Sequence, residues 1–171
     1  MAWRNYLQDH PGPLGWAWEA TAWVLRRARP WLERVGLERA SRWLLPVETA
    51  LKKPLFDCQA CGQCVLHYTG MTCPMTCPKQ LRNGPCGGVR ANGHCEVYPE
   101  RPCVWVQALT RIERTPYAAE KHRLNPPVDW RLEGMASWAT HALERDQIPT
   151  GSETLVRYAT ERWEEVADEA R

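Results

Sequence analysis

Residues 58–103 read CQACGQCVLHYTGMTCPMTCPKQLRNGPCGGVRANGHCEVYPERPC and hold all 8 cysteines of the 171-residue chain. The run opens with the triplet Cys58-x2-Cys61-x2-Cys64 and continues through Cys73, Cys77, Cys86, Cys95 and Cys103, with Pro74 and Pro78 directly after Cys73 and Cys77. Three thiolates from one tight loop suit three irons of a cubane, and a remote Cys-Pro thiolate suits the fourth, so the pattern points to [4Fe–4S] chemistry. Eight thiolates complete two such clusters. Spacing alone does not say which cysteine serves which cluster.

Two other chemistries compete for these thiols. A disulfide scaffold also uses an even number of close cysteines. Against it, the N-terminus MAWRNYLQDHPGPLG lacks the basic, apolar and small-residue order of a secretion signal, which leads us to expect a reducing, cytoplasmic setting. Zinc is the stronger rival, because eight thiolates also make two tetrahedral four-cysteine sites. Zinc sites usually pair two short knuckles across a longer gap. Here only the triplet and Cys73-x3-Cys77 have knuckle spacing, and the triplet leaves one thiol over. Two clusters are therefore the preferred reading, with zinc at one or both sites as the alternative.

Gly84, Gly87, Gly88 and Gly93 in NGPCGGVRANG suit tight turns and close approach of backbone to a bulky group. Backbone N–H groups in such loops donate to cluster sulfurs. His67 and His94 also lie in the run, and with eight thiols at hand they are expected to support or surround the ligands rather than to be ligands.

Outside the cysteines, 44% hydrophobic and 25% charged residues describe an ordinary soluble domain, and a net charge of +2 makes no case for nucleic acid. Basic residues prevail in 1–53 and acidic ones after 105, which suggests pairing within or between chains, or only solvated helix faces. The first segment carries Trp3, Trp16, Trp18, Trp23, Trp31 and Trp43. From Leu14 to Leu25 apolar residues lie on nearly every face of a helix, so that helix is expected to be buried against something. At about 1.5 Å per residue the run reaches roughly 18 Å, short of a hydrocarbon core of about 30 Å, so it does not span a membrane. A protein contact anchored by tryptophans is preferred over an interfacial membrane helix.

Pro30 and Pro46 are expected to divide this segment into helices near 14–29, 31–45 and 47–53. Val104 to Arg114 reads as a short helix, and Pro126 and Pro127 mark an extended connection. Leu132, Met135, Ala136, Ala139 and Leu143 give one apolar helical face. Thr150 with Glu153 resembles a capping box that opens a last helix. The fold class expected is mainly α with an irregular, loop-dominated cysteine-rich core. Residues 1–53 form a Trp-rich helical segment, 54–125 a cluster-binding domain and 126–171 a helical arm. No Gly-rich phosphate loop, no HExxH and no local histidine pattern points to catalysis, so no catalytic residue is assigned.

The strings CGQC, CPMTCPK, LRNGPCGG and CVW, with NPPVDWRLEGMASW after them, resemble the methylenetetrahydrofolate reductase C-terminal domain, from Leu55 to Trp138. That domain is found with the flavoprotein reductase and as the small MetV-type subunit of bacterial complexes. The resemblance implies a place in one-carbon folate metabolism, where a flavin-bearing partner reduces 5,10-methylenetetrahydrofolate to 5-methyltetrahydrofolate. It implies that Cys58, Cys61, Cys64, Cys73, Cys77, Cys86, Cys95 and Cys103 bind iron–sulfur clusters that exchange electrons with that flavin. A ferredoxin or an adjoining oxidoreductase subunit suits the role of donor. The alternative is a zinc-binding adaptor that assembles the reductase without carrying electrons.

Overall fold

A computed structural model describes Tyr6 and residues 9–144. It is mainly helical, with four α-helices of six or more residues among the described residues: α1 (Gly12–Val35), α2 (Leu37–Phe56), α3 (Val104–Ile112) and α4 (Ser137–Ala142). Between α2 and α3 the cysteine-rich run is loop, broken only by 3₁₀ turns at Leu66–Thr69 and Pro74–Thr76. No strand occurs among the described residues, and one isolated antiparallel bridge joins His94 to Pro102.

The first two helices do not break at the prolines. Pro30 lies inside α1, and Pro46 and Pro54 lie inside α2. Each proline withdraws one N–H from the helical ladder. The stripes that these helices bury nevertheless run on past them, with Leu25 and Leu32 on either side of Pro30 and Ser41 and Glu48 on either side of Pro46. The break falls at Gly36, whose φ of 84° and ψ of 154° are open essentially to glycine alone. Its N–H closes α1 onto the Leu32 carbonyl at 2.9 Å, and the chain turns there into α2.

α4 packs against both α1 and α2. It can do so because the residues it buries are small: Ser137, Ala139, Thr140 and Ala142. Leu25, Leu32, Ala40, Ala136, Ala139 and Ala142 make the buried centre of this three-helix core. The single helical face expected from Leu132 to Leu143 is interrupted. Leu132 ends a 3₁₀ turn, and Gly134 at φ 77° separates it from α4. α3 starts immediately after Cys103 and packs on the two 3₁₀ turns of the cysteine run.

The apolar helix over 14–25 is not buried all round. Gly15, Ala22 and Leu25 face inward, whereas Trp16 is 77% exposed and Trp23 58%. Trp31 and Trp43 are also exposed, with ring centres 5.9 Å apart. No described helix is long and apolar enough to cross a membrane. The capping box at Thr150 and Glu153, and the helix expected after it, lie outside the described residues, as does Trp3.

Candidate metal centres

The eight thiols divide between two cavities. Cys58, Cys61, Cys64 and Cys73 line the first, together with Glu48, Phe56, Gln63, Arg82 and Ser137. Cys77, Cys86, Cys95 and Cys103 line the second, together with Phe56, Cys73, Lys79, Glu96 and Arg101. Cys73 borders both, but Cys61 and Cys64 pack against the buried cluster to which it belongs. It therefore belongs with the triplet, and four thiols remain for each cavity. Phe56, at the C-terminal end of α2, forms a wall common to the two.

The triplet loop is anchored from three sides. Gly62 takes a φ of 71°, and a Cβ there would collide with the Leu132 carbonyl, so the loop lies directly on the segment before α4. Thr140 Oγ1 of α4 donates to the Gly62 carbonyl at 2.5 Å. Gln63 ties in the rest. Its carbonyl accepts from Arg82 Nη2 at 2.7 Å, and its side-chain oxygen accepts from the Asp129 N–H at 2.7 Å. Asn83 and Asn125 bond reciprocally, with Asn83 Nδ2 donating to the Asn125 carbonyl at 2.8 Å and the Asn125 N–H donating to Asn83 Oδ1 at 2.7 Å. The stretch around Pro126 is thus extended, as its prolines suggest, but it also straps the LRN loop to the triplet.

Burial governs the protonation of the inner thiols. It pushes Cys58 up to about 11 and Cys73 up to about 12, and raises Cys61 as well. As ligands they give up their protons to a metal. Backbone groups already favour their charged form: the Ala60 N–H donates to Cys58 Sγ at 3.4 Å, and the Met75 backbone bonds to Cys73.

The second cavity is more open. Residues 61–75 are buried or nearly so, whereas most of 85–102 is exposed or half-buried. Of the glycines in this half, Gly88 lies against the Glu96 carboxylate, and Gly84 makes its close approach to α3. A Cβ there would fall 2.5 Å from Cδ1 of Trp105, whose indole N–H donates to the Leu81 carbonyl at 3.0 Å. The glycine serves the packing of α3 rather than a group in the cavity.

His67 and His94 line neither cavity. His67 stacks on Trp18 at 4.5 Å and 14°. His94 Nδ1 lies 2.7 Å from the Pro99 carbonyl. None of the eight cysteines is joined in a disulfide. Among the described residues, no three cysteine, histidine or carboxylate side chains stand close enough to hold a single metal ion.

Sequence reasoning missed Glu48, Lys52, Arg82 and Gln63, the polar residues that back the triplet cavity. Glu48 and Lys52, four apart in a helix, carry the signal of an ordinary surface pair. The packing of α4 and of Trp18 from α1 buries them.

A family model described as methylene-tetrahydrofolate reductase C terminal matches residues 37–131. The match begins at the first residue of α2 and so includes the helix that backs the cavity, which lies before the stretch where the sequence resemblance starts. No curated protein and no solved structure matches the chain.

Proposed function

The chain belongs to the methylene-tetrahydrofolate reductase C-terminal family, and on that premise we propose that it is an iron–sulfur electron-transfer subunit of a flavin-dependent methylenetetrahydrofolate reductase. Cys58, Cys61, Cys64 and Cys73 would hold one [4Fe–4S] cluster, and Cys77, Cys86, Cys95 and Cys103 the other. The observation that carries this reading is the division of eight thiols, four and four, between two cavities that share Phe56 and Cys73. Bound there, the clusters supply one-electron transfer.

The chain's own residues fit that group. Backbone N–H donation to Cys58 and the backbone bond to Cys73 stabilise thiolates, and bonds of this kind to sulfur raise a cluster's potential. Phe56 and Cys73 line both cavities, so the two centres would lie adjacent. The second cavity, with Lys79, Glu96 and Arg101 at its rim, is where an external partner has access. Exposed Trp16, Trp23, Trp31 and Trp43 suit a protein contact with the reductase, since tryptophans carry large buried area at interfaces.

Anaerobic purification tests the reading. The expected product is a brown protein with iron and sulfide for two clusters, visible absorption that bleaches on reduction, and copurification with a flavoprotein reductase. A colourless protein with stoichiometric zinc overturns it in favour of a structural adaptor.

A further inference from the structure

The triplet cavity has a charged wall that the cysteine pattern does not announce. Lys52 of α2 is 5% exposed. Its Nζ donates to Glu48 Oε1 at 2.6 Å and to Ser137 Oγ at 2.8 Å, and both acceptors line the cavity of Cys58, Cys61 and Cys64. The rings of Trp18 and Trp138 flank the ammonium, each with its centre 5.5 Å from Nζ. Glu48 is fixed in turn by Ser137 Oγ and by the Trp138 N–H at 3.2 Å. The ammonium is therefore held in one position and withdrawn from bulk solvent.

Burial opposes the charge on Lys52, but Cys64, Glu48 and Cys58 outweigh it, and the lysine is held above its ordinary value. The cations of the second cavity stand in solvent instead: Arg101 is exposed, and Lys79 pairs with Glu96 where both side chains are more than a third exposed, so solvent and salt screen them.

Reducing a cluster adds one negative charge, and a fixed cation in a low-dielectric wall favours the form that carries it. We propose that Lys52, held in place by Glu48 and Ser137, is a positioning residue that tunes the potential of the inner cluster, raising it as Glu48 lowers it. The inference rests on the ligation of that cluster by Cys58, Cys61, Cys64 and Cys73.

The test is an anaerobic redox titration of the full chain, with both clusters followed by electron paramagnetic resonance. Cys58→Ser identifies the inner signal by removing it. Lys52→Met is expected to lower the inner midpoint by a tenfold or greater change in the reduction equilibrium, about 59 mV for one electron, and to leave the outer midpoint in place. Lys52→Arg is expected to restore it. Glu48→Gln retains the shape of the side chain and one acceptor oxygen while removing the charge, and is expected to move the same midpoint upward. Opposite shifts from the two partners are not produced by loosened packing. If Lys52→Met fails to load iron, Glu48→Gln decides: an upward shift supports the proposal and no shift overturns it. Unmoved midpoints in loaded Lys52→Met protein also overturn it, leaving the ligation reading intact, whereas a wild-type chain that binds no cluster overturns the ligation itself.

Discussion

His67 is enclosed by Trp18, Tyr68, Tyr117 and His141, and its buried Nδ1 has no hydrogen-bond partner. Burial, followed by the charges of His141, Arg123 and Lys52, lowers its pKa from 6.5 to about 3. The folded state therefore takes up this proton later than the unfolded state as pH falls. Stability is complete above the unfolded value and is lost as pH drops from about 6.5 toward about 3, by at most about 1.4 kcal/mol per pH unit. Urea denaturation of the wild-type chain and of His67→Phe between about pH 7 and about pH 4 should show a steeper loss in the wild type. Parallel curves would count against it. Gly62 gives a second expectation at this scale. Gly62→Ala should cost more than about 2 kcal/mol in denaturant unfolding, because a left-handed backbone and the Leu132 carbonyl both resist the added methyl. The sequence indicated that His67 was not needed as a ligand, but its stacking on Trp18 depends on two segments meeting in space.

α1 shows how far periodicity carries and where it stops. Its helical character was legible from Leu14 onward, yet its end was not, because proline is the louder signal in sequence and Gly36 the decisive one in structure. Packing of Leu32 against α2 and α4 continues the helix past Pro30. Leu32, 1% exposed, should cost about 2–5 kcal/mol on replacement by alanine, whereas Trp16→Ala, for all its size, should change stability by no more than about 0.5 kcal/mol. Chemical unfolding of the two variants checks the contrast. Equal losses would mean that the tryptophan face is covered within the chain. The same element-scale logic explains why the charged pair of α2 escaped notice. Its i, i+4 spacing is that of a solvated pair, and the small residues of α4, with Trp18 of α1, bring a cover close enough to bury it.

Across the whole molecule, the cavities turn a string of eight thiols into two sets. Cys58→Ser and Cys73→Ser should each remove the same cluster and halve the bound iron, and Cys95→Ser should remove the other. Iron analysis with electron paramagnetic resonance reads this directly, and loss of both signals from either set would overturn the partition. The sequence by itself determined the helical class, the loop-rich core, the identity of the thiols and the family, because these depend on residue type and local spacing. Only the tertiary structure decided which thiols face one another, that Phe56 and Cys73 stand between the two cavities, and that Lys52 and Glu48 lie behind the triplet. Those are contacts between α2, the cysteine loops and α4, segments up to 90 residues apart. Spacing along a chain carries no information about which distant surfaces close on each other when apolar area is withdrawn from water.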